Sequence, residues 1–195
     1  MGVKVAVVGD RNASNLTSRL FDDGNTTPVW SDDHYGNVYA VDTDSAGNVY
    51  TAGSASLDTS DYSINTVRKY AVDGTLQWKR YYHNSTLRGI AVNDSGDVVV
   101  CGNSSSGKSV LKFNASGTQQ WSADHGATTR CVAVDSSGNV YIGGDVSSSV
   151  SIRKYDSSGT QQWTANHGAT VYGIAVDSSG NVYICGAYNG GYSVR

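Results

Sequence analysis

CVAVDSSGNVYIGG at residues 131–144 returns as GIAVDSSGNVYICG at 173–186, with SIRKYDSSGTQQWTANHGA at 151–169 between them. The glycines that close this segment recur at Gly9, Gly53, Gly102, Gly144 and Gly186, spaced 44, 49, 42 and 42 residues apart. Within each unit, short runs rich in Val, Tyr and Ile alternate apolar and polar residues. Asp, Ser and Gly bound each run. Alternation with a period of two between turn residues marks short antiparallel strands. Four such strands per repeat of about 42 residues predict an all-β chain, a β-propeller of four-stranded antiparallel blades with one blade per repeat.

Within the reference repeat, strand A is read at 172–176, strand B at 181–185, strand C at 151–155 and strand D at 160–166. The repeat units run over 1–36, 37–84, 85–126, 127–168 and 169–195, within one domain spanning 1–195. The first strand read, at 3–9, is a B strand, and Arg195 aligns with Arg153 inside a C strand. Two closures satisfy this count. Five blades form if the first and last are three-stranded. Four closed blades form if the last A strand completes the first blade. Either closure leaves strand edges open, and open edges pair with other chains. The expected partners are therefore other protein chains, as homo-oligomer partners or as components of a virion.

The composition agrees with an all-β chain. Glutamate is absent, so all 17 acidic residues are Asp, and there are 23 Gly, 13 Tyr and one Pro. A chain without its acidic helix former and rich in β-branched and aromatic residues favours strands. The net charge of −3 supplies no basic footprint for nucleic acid. No apolar run approaches the ~18 residues of a membrane span, so membrane insertion is not expected. The opening MGVKVAVVGDRN is broken by Lys4 and Asp10, too early for a signal peptide. Cys101 and Cys185 share a repeat position filled elsewhere by Val8, Ala52 and Gly143, which predicts free, buried thiols rather than disulfides.

Side chains at equivalent positions divide into anchors and candidates for binding. Trp30, Trp78, Trp121 and Trp163 mark strand D and are read as packing anchors between blades. All four histidines, His34, His83, His125 and His167, follow these tryptophans by four or five residues. They are read as structural loop histidines that bond backbone and order the D–A loops. A ring of four imidazoles also suits a transition metal, but propeller radii hold equivalent residues too far apart, so no metal is expected. The A–B and C–D turns repeat nearly unchanged, while length differences gather on the opposite face, notably at 54–66. Variable loops on a rigid scaffold carry function, which nominates the D–A/B–C face. There the start of strand A holds Tyr39, Arg88, Arg130 and Tyr172, and Asp42 replaces the alanine of Ala91, Ala133 and Ala175. These five are the candidate ligand- or partner-binding residues, since aromatic and Arg side chains anchor interfaces and aromatics stack on sugars.

Three motifs mimic chemistry. Residues 102–109, GNSSSGKS, match the phosphate-loop pattern, but Val110-Leu111-Lys112-Phe113 aligns with strand C where a nucleotide site needs a helix. The opening VAVVG resembles a nucleotide-binding first strand, and the alignment makes it strand B. Residues 42–48, DTDSAGN, are calcium-like but lack the distal Glu, so a hairpin turn is expected. No nucleophile–base or paired-carboxylate arrangement stands out, so neither catalysis nor a cofactor is expected.

GNVYxxG followed by xRKYDSSGTQQW resembles bacterial and phage β-propeller repeats and is similar to NHL-type and SBBP-type repeats. The D-x-x-G-x-x-x-W ending resembles the tryptophan-docking motif of quinoprotein-like propellers, and the loop histidines resemble those of WD-type propellers. The resemblance implies a fold and no particular ligand. It departs from quinoprotein enzymes in blade number and in the missing Glu. What it implies is a non-catalytic scaffold, adaptor or binding subunit of a phage virion, acting on the particle or otherwise outside cells without a signal peptide, or in the cytoplasm. The alternative is a lectin-like module for surface glycans, gaining avidity from one weak site per blade.

Overall fold

A computed structural model describes residues 4–8, 18–22, 27–32, 36–55, 64–83, 85–104, 107–188 and 191–194. Eighteen strands form five antiparallel sheets there. The first sheet holds β1 (Lys4–Val8), β2 (Ser18–Asp22) and β3 (Trp30–Asp32). The second holds β4 (Val38–Thr43), β5 (Val49–Ala55), β6 (Ile64–Tyr70) and β7 (Leu76–His83). The third holds β8 (Ser85–Val92), β9 (Val98–Ser104), β10 (Val110–Phe113) and β11 (Gln119–Ala123). The fourth holds β12 (Thr129–Val134), β13 (Val140–Ser147), β14 (Val150–Tyr155) and β15 (Gln161–Ala165). The fifth holds β16 (Val171–Val176), β17 (Val182–Tyr188) and β18 (Gly191–Val194). Each sheet is a blade in simple meander order. The five-blade reading, with three-stranded first and last blades, is the one found. Strand β16 pairs with β17 and not with the first sheet, which removes the four-blade closure.

The Asp-rich turns fix the hairpins. In the A–B turn, Asp135 Oδ1 accepts from the backbone of Ser137 and Asn139, while Oδ2 accepts from the Asn139 amide and the Tyr141 hydroxyl. Asp44 holds Asn48 and Tyr50 in the same way, so the calcium-like string is a hairpin turn. Gly138 closes the turn at φ 79°, a left-handed conformation that favours glycine. These hydrogen bonds hold the Asp44 and Asp135 carboxyls below their ordinary range.

The core lies between blades rather than inside one. Leu20 packs with Val49 and Tyr70, joining the first blade to the second. Tyr50, Val67, Leu87, Val98 and Phe113 join the second to the third. Val99, Val110, Val140 and Tyr155 join the third to the fourth, and Cys131, Ile152, Val171 and Ile184 join the fourth to the fifth. The third blade is covered on both faces. Its Val98, Val99 and Val100 are all buried, as is every residue of β10, so the alternation expected from the repeat is lost there.

Tryptophan fastens these layers. The Trp78 indole N–H donates to the Ala115 carbonyl at 3.0 Å, in the C–D turn of the next blade, and Trp121 donates to the Ser157 carbonyl at 3.0 Å. The rings lie over the turn glycines. A Cβ on Gly117 would sit 2.8 Å from Trp78, and one on Gly159 would sit 2.7 Å from Trp121. Trp30 packs on Gly74 in the same place, with its ring 5.0 Å from that of Tyr70. Lysine reinforces the contact. Lys112 is buried, pairs with Asp97 at 3.1 Å, and donates to the Gly138 and Ser157 carbonyls at 3.3 Å.

On the fifth blade, positions covered elsewhere are open. Tyr183 is 49% exposed, whereas its equivalents Tyr50 and Tyr141 are 0% and 1% exposed. Cys185 is exposed while Cys101 is buried, which corrects the expectation that both fill a buried slot. The slot faces the following blade, and no following blade lies against β17 among the described residues.

Replacing Trp121 by Ala removes an indole, its hydrogen bond and the cover of Gly159. The expected loss is about 2–4 kcal/mol of unfolding free energy in urea titration. A loss under about 0.5 kcal/mol contradicts the anchoring role.

Candidate functional site

The repeat-ending glycines are explained by a close approach of backbone. A Cβ on Gly53, Gly102, Gly144 or Gly186 would collide with the carbonyl of Asn37, Thr86, Thr128 or Thr170, where strand A enters its blade. The residue after the glycine donates its N–H to that carbonyl in three blades: Ser54 to Asn37 at 2.7 Å, Asp145 to Thr128 at 2.9 Å and Ala187 to Thr170 at 2.8 Å.

Beside this tight entry the A–B pairing shifts register once in each of four blades. Val38 pairs with Gly53 and Ala40 with Ala52, leaving Tyr39 as an extra residue. Leu87 and Gly89 leave out Arg88, Thr129 and Cys131 leave out Arg130, and Val171 and Gly173 leave out Tyr172. Each is a β-bulge, a device that turns a side chain away from the pleat. Four of the five binding candidates are thus the bulged residues of successive innermost strands. Tyr39 is 47% and Tyr172 49% exposed, and Arg88 is exposed.

Their environments differ. Arg130 forms a bidentate pair with Asp145, at 2.6 Å from Nε and 3.1 Å from Nη2. Its guanidinium carbon lies 5.5 Å from the centre of the Tyr172 ring. Thr170 Oγ1 also donates to Asp145, at 3.1 Å. The Arg130 pair comes first among the causes that hold the Asp145 carboxyl below its ordinary range. Arg88 carries no ion pair among the described residues, because the position of Asp145 is Asn103 in its blade. Asp42 stands apart, three residues along β4 from the bulge. Its carboxylate accepts the Val92 N–H of the next blade at 2.7 Å, so it ties two inner strands together. Burial pushes its carboxyl above the ordinary range, against the pull of its two backbone hydrogen bonds.

Two of the histidines are tied into the loops behind these residues. His125 is fully buried, and its Nε2 lies 3.0 Å from the Asp145 carbonyl oxygen. Its Nδ1 accepts from Arg153 Nε at 3.1 Å, which leaves Nε2 as the donor. His167 is also buried, and its backbone N–H donates to Ser151 at 2.9 Å, as that of His125 donates to Ser109 at 2.8 Å. His34, and the side chain of His83, lie outside the described residues, as do Ser105 and Ser106 of the phosphate-loop match. That match joins β9 to strand β10 and opens no helix. No cluster of three metal-ligating side chains occurs among the described residues.

A cavity of about 370 Å³ opens on the same face between the third and fourth blades. Asn103, Ser109, Asp124, Thr128 and Asp145 line it. Asn103 and Ser109 stood in the sequence only as part of the phosphate-loop match, and Asp124, Thr128 and Asp145 were not singled out there. The available signal was the pairing across one blade junction: the residues at these two positions are Asp33 and Ser54, Tyr82 and Asn103, and Asn166 and Ala187 at the other junctions, and only Asp124 and Asp145 are both acidic.

The fold is that of a β-propeller whose blades are fastened by tryptophan and whose innermost strands bulge at one mouth. Residues 160–191 match the SBBP β-propeller repeat. No curated protein sequence matches the chain. Among solved structures, the chain is similar to the Dos1 propeller, at 10% identity and a TM-score of 0.73, covering 99% of this chain and 51% of that one. It is similar to a protein of unknown function from Bacteroides caccae, at 14% identity and a TM-score of 0.63, covering 95% and 65%. It is also similar to the gluconolactonase XC5397 from Xanthomonas campestris, at 15% identity and a TM-score of 0.56, covering 77% and 54%. The chain thus spans about half to two thirds of the length of these structures, and the likeness is one of fold.

Burial lowers the pKa of His125 below its ordinary 6.5, so the folded state holds it neutral. A depressed folded pKa gives stability that is complete above the unfolded value and is lost as pH falls through the folded one. Between about pH 7.5 and about pH 5, His125→Gln is expected to lose less stability in urea titration than the parent protein does. Equal slopes contradict a buried neutral imidazole.

Proposed function

We propose that this protein is a non-catalytic scaffold subunit that presents the D–A/B–C mouth to a binding partner and assembles with other protein chains through its strand edges. The observation that carries the reading is the ring of bulged side chains. One register position, repeated in four blades, varies between Tyr and Arg, while the turns on the opposite face stay nearly constant. Aromatic and Arg side chains are the usual anchors of interfaces. Strands β1 and β18 each have a single strand neighbour in sheets one strand short of the interior blades, which supports edge pairing. A place on a phage virion, outside cells, is the setting proposed for such a subunit.

A second reading is favoured by one observation. Tyr172 is half exposed beside Arg130 and Asp145, an arrangement in which an aromatic face meets hydrogen-bonding groups. That suits a surface glycan as well as a protein.

Light scattering after size exclusion, over a concentration series of the purified chain, tests the assembly half. A defined oligomer is expected, and it should persist when Tyr39, Arg88 and Tyr172 are all changed to Ala. A monomer at every concentration would sink assembly through the chain's own edges.

A further inference from the structure

We infer that the cavity between the third and fourth blades is a binding site for a neutral sugar unit, one site in the ring rather than one per blade. The inference rests on the reading of the D–A/B–C mouth as a recognition face.

The cavity is built rather than incidental. Ser109 is buried, accepts the His125 N–H at 2.8 Å and the Thr129 hydroxyl at 3.2 Å, and lies 3.4 Å from Asp124 Oδ1. Gly126 donates its N–H to that same oxygen at 2.9 Å. Asp124 is therefore held by one oxygen, while Oδ2 carries no hydrogen bond among the described residues. Across the cavity, Asp145 is fixed by Arg130 and Thr170. Ser147 of β13 closes over Gly126, where an added Cβ would sit 2.7 Å from its hydroxyl.

Size and chemistry select the ligand. About 370 Å³ lies at the small end of small-molecule sites, which run from about 300 to 1,000 Å³. Such sites are mostly apolar, whereas this one is lined by carboxylates, hydroxyls and an amide. A carboxylate accepts from two adjacent hydroxyls of a pyranose at once, and the exposed Asn103 amide both donates and accepts. Arg130 neutralises Asp145, so the site presents one free carboxylate rather than a doubly charged trap for a cation. The equivalent place between the fourth and fifth blades carries Asn166 and Ala187, so the pair of acids occurs once.

The repeat itself supplies a fold-neutral variant. At the position of Asp124, Asn166 Oδ1 accepts the Gly168 N–H at 2.8 Å, so Asp124→Asn keeps the loop bond and removes the charge. Proton–nitrogen correlation spectra of the labelled chain would be recorded during titration with methyl glycosides of glucose, galactose, mannose and N-acetylglucosamine. At least one glycoside is expected to shift the Gly126, Thr128 and Asp145 amides together. Asp124→Asn should weaken that binding about tenfold while leaving the rest of the spectrum in place. Absence of shifts with all four sugars overturns the inference, as does a response only to a lysine amide, which would mark a cation slot. Either result leaves the light-scattering outcome untouched, so this site and the scaffold reading fail separately.

Discussion

The contact on which the structure depends is an indole laid over a turn glycine of the next blade, with its N–H on the turn carbonyl two residues earlier. Trp78 on Gly117 and Trp121 on Gly159 repeat it with the same 3.0 Å hydrogen bond. A left-handed glycine makes the turn flat enough to receive the ring, and the Asx hydrogen bonds hold the turn in that shape. Since a single blade has no core of its own, the row of blades is stable only as a stack of such contacts. This explains why the C–D turns can hardly vary.

The opposite ends of the strands are freed by the same arrangement. Inward stability is carried by the interlayer cores and the indoles, so the entry of strand A can bulge in each blade and turn one side chain to the mouth. What each blade puts there differs. Arg130 is held by Asp145, Arg88 is free of any ion pair among the described residues, and Tyr39 and Tyr172 are half exposed. One backbone device thus yields four chemically distinct projections and, beside them, one polar cavity. The tryptophan-covered turns and the bulged residues lie at opposite ends of the strands.

Much of this was legible in the residues. Period and turn chemistry give the strand order, including the missing strands of the first and last blades, because Asp-x-x-Gly turns are local and repeat. The glycine after each B strand was visible as a period. Its cause was not, since the colliding carbonyl comes from a residue 16 positions earlier. The bulges at Tyr39, Arg88, Arg130 and Tyr172 escaped because alternation cannot show which residue is extra. Cys185 was misplaced because repeat position implies burial only when a following blade covers it. Asp42 broke the pattern of its position, and its bond to the Val92 N–H was not legible because that partner lies 50 residues away in the next blade. Asp124 and Asp145 were overlooked because a cavity between two blades is assembled from residues that no single repeat brings together.

The separation of stability from recognition is the central claim, and thermal unfolding of the combined Tyr39→Ala, Arg88→Ala, Tyr172→Ala variant tests it most directly. The account predicts a melting temperature within about 2 °C of the parent, because bulged side chains at the mouth bury little. A drop of more than about 6 °C would contradict it, since the ring would then be part of what holds the blades together.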